Sequence, residues 1–180
     1  AATGQGAALV PGDAVRAGDR VVTQEKTIVR LEIGSGSLYA DGGTSFSVAP
    51  SGTIVLDRGR LCADLREPLR EPVVISDTAN NTMGIRQGRV EVGLQPVHAL
   101  VGALQERKDA VAVPPEAKRD SALRLFVRVE EGEADLGGSR LQRLRAEAGR
   151  QGSFDWSGRP ETAPLESSGI APWRRPGFYE

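Results

Sequence analysis

The sequence predicts an all-β fold of many short strands, and three observations carry that prediction. From about Val10 to Leu94 the chain is a succession of short β-branched runs punctuated by glycine and proline, the pattern of strands joined by tight turns. Apolar residues alternate or run over strand lengths in those segments, and turn signals recur about every ten residues. The bulk composition, 39% hydrophobic and 26% charged over 180 residues with a net charge of −1, is that of an ordinary folded domain with one core, large enough to be stable without disulfides or metals. The arrangement expected is a β-sandwich or a solenoid-like stack, with one short helical insertion at about 97–108 and an extended C-terminal arm.

In chain order, Val21-Val22-Thr23, Thr27 to Ile33 and Ser45 to Val48 read as strands, followed by Thr53 to Leu56, Leu61 to Leu65, Val73 to Ile75 and Arg89 to Leu94. The separators include Pro11-Gly12-Asp13, Gly34-Ser35-Gly36, Asp41-Gly42-Gly43 and Asp57-Arg58-Gly59, in which Gly accepts positive φ and Asp bonds its own backbone. After Pro96, the positions Val97, Leu100, Val101 and Leu104 fall at helical spacing and predict a short helix to about Lys108, ahead of Pro114-Pro115. Ala122 to Val129 alternates as a strand, and Glu130-Glu131-Gly132 is expected to turn into Ala134-Asp135-Leu136. Ser139 to Ala148 fits a helix face or a strand equally well. The domain organisation that follows is an N-terminal extension over 1–9, a β-domain over 10–154, and a tail over 155–180.

A cassette of glycine, a charged residue and alternating side chains occurs at Gly59-Arg60-Leu61, Gly88-Arg89-Val90 and Gly132-Glu133-Ala134, with the glycines 29 and then 44 residues apart. The first spacing is within the range of stacked repeat units, and an insertion after Pro96 would reconcile the second. Ordinary strand-entry chemistry explains the same cassettes without a repeat, so both readings stand.

Scarcity excludes several function classes. One histidine (His98), one cysteine (Cys62) and one methionine (Met83) cannot supply a multi-ligand His/Cys zinc site or a Cys-x-x-Cys redox pair. No Gly-x-Ser-x-Gly elbow is present, and a single histidine would have to serve any triad. No enzyme activity, cofactor or metal is expected. A pI near 6.0 gives no global field for nucleic acid or anionic lipid. The apolar run from Val92 to Gln105 is shorter than the roughly 20 residues a spanning helix needs, and it contains Pro96. The start Ala1-Ala2-Thr3 fits either signal-peptide cleavage or removal of an initiator methionine.

Cys62, between Leu61 and Ala63, reads as a small buried hydrophobe. The acidic group Glu130, Glu131, Glu133 and Asp135 reads chiefly as a solvated face, with Glu133 and Asp135 on one side of a strand. Calcium binding is the sharper alternative there. The tail carries Pro160, Pro164, Pro172 and Pro176 with Trp156, Trp173, Phe178 and Tyr179, a composition for an extended arm without its own core. Arginine outnumbers lysine 20 to 3, and guanidinium groups favour interfaces because they bond bidentately and stack on rings. Trp156, Trp173, Arg174, Arg175, Phe178 and Tyr179 are therefore the candidate partner-binding residues. The arm could dock on another protein, touch a membrane surface, or fold back over the domain's own apolar patch.

The doubled Gly-Asp of Gly12-Asp13-Ala14-Val15-Arg16-Ala17-Gly18-Asp19-Arg20-Val21-Val22-Thr23 resembles the opening of the FecR-type periplasmic domain, the family of the iron-dicitrate transport regulator. Leu31 to Ala40, with its Gly34-Ser35 turn, and Gly43 to Val48 are similar to the family's middle section. Leu56 to Leu65 resembles its Gly-Arg strand, Val73 to Ala79 stands where a strand usually runs into Thr-Pro, and Glu131 to Leu136 with Leu144 to Gln151 resembles its closing strands. The likeness covers about Val10 to Phe154. Two departures are Ile85-Arg86-Gln87-Gly88-Arg89-Val90 in place of Arg-Gly-Thr-x-Phe, and the insertion after Pro96. The resemblance implies an exported, partly solenoid-like β-domain that works by protein contact. Family members that relay iron signals carry an anti-sigma segment and a membrane helix, which this sequence does not show. The leading expectation is an accessory or scaffolding subunit of a larger cell-envelope or membrane-bound complex. The alternatives are a periplasmic sensor or regulatory domain of a transport-linked signalling system, and a glycan- or ligand-binding module.

Overall fold

The computed structural model describes residues 7–96, 123–138, 142–154 and 158–165, and all regular structure among them is β-strand. The strands are β1 (Arg20–Val22), β2 (Val29–Ile33), β3 (Gly36–Ala40), β4 (Ser45–Val48), β5 (Ile54–Arg58), β6 (Arg60–Leu65), β7 (Val73–Ser76), β8 (Thr82–Pro96), β9 (Leu123–Gly137), β10 (Arg143–Glu147), β11 (Arg150–Phe154) and β12 (Pro160–Pro164).

Two 15-residue strands, β8 and β9, organise the rest. They pair antiparallel along almost their whole length, from Thr82↔Gly137 to Pro96↔Leu123. Each changes its other neighbour halfway along. In β8, Thr82 to Ile85 pair with β7, and Gly88 to Gly93 pair with β6. In β9, Phe126 to Val129 pair with β11, and Glu133 to Gly137 pair with β10. The ladder therefore divides into two arms that share β8 and β9: one runs β1-β4-β5-β7-β8-β9-β10, the other β2-β3-β6-β8-β9-β11-β12. All pairings are antiparallel except β5 with β7.

The arms face each other across a single core. Leu136 belongs to the first arm, yet its Cδ2 would lie 2.7 Å from a Cβ added at Gly152 on β11 of the second. Phe46, Leu56, Ile75, Met83, Ile85 and Leu136 from one arm, and Leu38, Leu61, Val92, Val127 and Phe154 from the other, form one buried cluster. A side chain as large as Phe46 or Phe154 contributes about 1.5–3 kcal/mol by full burial. The fold is thus a sandwich-like all-β arrangement.

The bend that makes two arms from one ladder is written in the alternation. Met83 and Ile85 are buried at odd positions of β8, Val90 and Val92 at even ones; in β9, Leu125, Val127 and Val129 give way to Ala134 and Leu136. A strict period of two cannot change phase without an extra residue, so each strand must carry a bulge at that point. The register shifts lie between Ile85 and Gln87 and between Arg89 and Val90. Gly88 and Gly132 stand opposite one another there, with φ of +117° and +81°. A Cβ on Gly88 would run into the Glu131 carbonyl, and one on Gly132 into the Gln87 carbonyl.

Most expected strands fall where the alternation placed them. Glu130-Glu131-Gly132 does not reverse the chain as a turn, however. It is the bulge inside β9, because the ladder with β8 continues on both sides of it. Ser139 to Ala148, readable two ways, yields strand β10 over Arg143–Glu147, held by its register with β9. The tail's Pro160–Pro164 is an extended strand paired to β11, so the sheet reaches beyond residue 154. The helix expected at 97–108 lies outside the described residues.

Placing a methyl group at the bend should be costly. Gly132→Ala is expected to lower stability by about 2 kcal/mol or more, whereas the same change at Gly12, where nothing lies within 4 Å, should cost less. Urea unfolding of the two variants compares them.

Candidate functional site

Polar groups buried in a β-domain must be satisfied locally, and two such clusters occur. The first is Asp77, directly after β7. It is 2% exposed, and its carboxylate accepts hydrogen bonds from the backbone N–H of Ala79 at 2.8 Å, of Asn81 at 3.0 Å and of Leu125 at 3.3 Å, and from Asn81 Nδ2 at 2.7 Å. Three of these donors close the 77–81 turn, in which Asn80 takes φ of 62°. The fourth, Leu125, belongs to β9, so Asp77 ties that turn to the opposite arm.

The second cluster lies on the outward face of the second arm. Register places Tyr39, Cys62, Glu91, Arg128 and Gln151 side by side across β3, β6, β8, β9 and β11. Glu91 is only 1% exposed. Its Oε1 accepts a hydrogen bond from Arg60 Nη1 at 3.1 Å, and its Oε2 has Arg128 Nη1 as an ion-pair partner at 3.7 Å. Arg60 also reaches Asp41 at 3.7 Å, and the Arg128 guanidinium lies 5.7 Å from the centre of the Phe126 ring. Two guanidinium groups thus balance two carboxylates. Cys62 is buried as expected, but it belongs to this outward row, since Leu61 and Ala63 take the core-facing positions.

Glu133 and Asp135 share one face of β9, as alternation predicts. Arg145 on β10 contacts both, at 3.0 Å to Glu133 Oε2 and 3.0 Å to Asp135 Oδ1. The Asp135 hydrogen bond, then the charges of Asp135 and Glu133, hold the Arg145 pKa above its ordinary value. A guanidinium already occupies the position a cation would take. Among the described residues, no three His, Cys, Asp or Glu side chains are grouped as a metal site would require.

The exposed large hydrophobics among the described residues are Leu9, Val10, Val22 and Ile28. All precede or flank the two edge strands β1 and β2 in sequence. Sequence reasoning missed the burial of Glu91 and Asp77. A glutamate at an alternation position expected to be polar carries no signal of burial, and the ion pairs that bury Glu91 come from residues 31 and 37 positions away in sequence. The expected partner-binding residues Trp156, Trp173, Arg174, Arg175, Phe178 and Tyr179, and His98, lie outside the described residues.

No family model matches the chain, and no curated protein matches it. Two crystal structures of a "putative anti-sigma factor" from Parabacteroides distasonis ATCC 8503 share its fold. At 1.65 Å resolution the TM-score is 0.54 with 9% identity, over 83% of this chain and 61% of that one. At 2.50 Å it is 0.56 with 9% identity, over 86% and 63%. The chain therefore spans less than two thirds of those proteins' length.

The two buried clusters should respond differently to truncation. Asp77→Ala leaves four donors without their acceptor and is expected to cost about 1–3 kcal/mol, with faster amide exchange at Leu125 and Asn81. Glu91→Ala is expected to cost a similar amount by leaving two guanidinium groups against one carboxylate, without affecting exchange at Leu125. Hydrogen exchange and denaturant unfolding read both.

Proposed function

We propose that the chain is a non-catalytic protein–protein interaction domain of the FecR type, acting outside the cytoplasm as the contact module of a regulatory system. The observation that carries this reading is the fold shared with the two "putative anti-sigma factor" structures over 83% and 86% of the chain, in agreement with the Gly-Asp and Gly-Arg segments that resemble the FecR family. It is an argument by fold analogy. Supporting it, the charged side chains placed closest together, Glu91 with Arg60 and Glu133 and Asp135 with Arg145, pair with one another. Such pairs leave little to activate a substrate. Partners are other proteins; neither nucleic acid nor a cofactor is part of this reading. No helix among the described residues is long and apolar enough to cross a membrane.

A second reading, an accessory or scaffolding subunit of a membrane-associated envelope complex, is favoured by one specific feature. Strand β12 is bonded to β11, and Leu165 N–H donates to the Gly149 carbonyl at 2.8 Å. The residues after 165, which include Trp173, Arg174, Arg175, Phe178 and Tyr179, are thus tethered at a fixed point of the domain. In this reading they dock on the larger assembly, or rest on the membrane surface beside it.

The two readings separate on one comparison: crosslinking in native membranes with the full chain and with a chain ending at Leu165, which keeps β12 intact. Equal thermal midpoints establish that both are folded. Crosslinks retained by the shorter chain are expected if the β-domain makes the contact, as the regulatory reading requires. Crosslinks lost with the tail transfer the function to the scaffolding reading, and no specific crosslink from either chain overturns both.

A further inference from the structure

A sandwich has open edges, and each exposed edge strand is a template for a further strand unless something blocks it. This fold has four. β1 is three residues long, too short to template much pairing. β12 begins and ends with Pro160 and Pro164, which lack the N–H a ladder needs. In full overlap with its own copy β10 would set Arg145 against Arg145, and that guanidinium is already engaged by Glu133 and Asp135. β2 carries none of these devices: it has five residues, Val29-Arg30-Leu31-Glu32-Ile33, no proline or glycine, and among the described residues a strand neighbour on one side only, β3.

The sequence of β2 is also complementary to itself. An antiparallel pairing of two copies about Leu31 sets Arg30 opposite Glu32 of the second copy, and Glu32 opposite its Arg30. On the other face Val29 meets Ile33, and Leu31 meets Leu31. The charged pair projects to solvent, with side chains 59% and 82% exposed; Arg30 Nε donates to Ser37 Oγ at 3.0 Å and its Nη2 lies 3.8 Å from Glu32 Oε1, so pairing of two copies would exchange this loose contact within one strand for two between strands. The apolar set faces inward: Val29, Leu31 and Ile33 are each partly buried against the core, at the open end of the sandwich where a further strand would cover them. Ile28, 42% exposed, would face Gly34 of the second copy.

We propose that β2 is a homodimerisation edge, through which two copies of this chain join their second arms into one continuous sheet by a two-fold antiparallel pairing centred on Leu31. This is an isologous contact, the kind that closes at two subunits and does not propagate. Five residues a side form a small interface, below the roughly 1,200 Å² of stable complexes, so the dimer is a weak one that forms in the micromolar range. The proposal is independent of which partner the domain serves.

Charge reversal tests it without touching the core. Sedimentation velocity of the full chain across the micromolar range should show a concentration-dependent monomer–dimer equilibrium. Arg30→Glu and Glu32→Arg each place like charges opposite one another twice per dimer, and each is expected to raise the dissociation constant at least about tenfold. The double variant Arg30→Glu/Glu32→Arg restores opposite charges in the same register and should recover dimerisation to within a few-fold. All variants should keep the parent's thermal midpoint, which separates lost pairing from lost folding. A parent chain that stays monomeric throughout, a dimer insensitive to either single reversal, or a double variant no better than the singles would each overturn the proposal. In the second of these cases the interface lies elsewhere on the domain.

Discussion

Two glycines facing each other across one ladder set the geometry of the whole domain. Gly88 and Gly132 meet where β8 and β9 bend, and both strands insert their extra residue at that point. Without the bend the ladder would be a single wide sheet with one buried and one wet face, and the phase change in its hydrophobic pattern would put Val90 and Val92 on the opposite side from Met83 and Ile85. With the bend, both halves of each strand present their apolar side chains to the same interior. Every other strand then joins one arm or the other, and the core closes between them.

That dependence explains what was legible in the residues. Most strand positions from Val21 to Leu94 could be read because β-branched runs and Gly-Asp turns are local signals; β3, which starts at a glycine taken for a separator, and the first half of β8 could not. The three glycine-charged cassettes were also legible, but their meaning was not. Gly88 and Gly132 face each other between the two bulges of one ladder, and Gly59, at φ of +85°, carries the chain from β5 in one arm to β6 in the other. A regular 29-residue repeat is not what they share. What they share is a place where the chain leaves one sheet for the next, and that follows only from long-range register. The turn expected at Glu130-Glu131-Gly132 failed for the same reason: a bulge and a reversal use the same residues, and only the partner strand distinguishes them.

The polar clusters were less legible still. Asp77 looks like any aspartate after a strand, and its burial depends on an N–H donated from residue 125 of the opposite arm. Glu91 sits where alternation calls for a solvent-facing side chain, and the counter-charges that bury it arrive from β6 and β9. Both are products of topology. The acidic face on β9 was the exception, because Glu133 and Asp135 are two residues apart on one strand and period two alone places them together. Even there the sequence could not supply Arg145, which the β9–β10 register brings opposite them.

The register pair Pro96↔Leu123 has a consequence for how this domain tolerates change. Those residues are bonded neighbours at the end of the ladder, so the 26 residues between them join two points that the folded strands already hold together. The entropy of closing such a connection grows only logarithmically with its length, about 0.6 kcal/mol for each doubling. Set against some fourteen rungs of pairing between β8 and β9, that is a small increment. The end of this ladder is thus a natural port, at which whole modules could be added, exchanged or removed over evolutionary time, or by fusion in the laboratory, while the sandwich beneath keeps its shape.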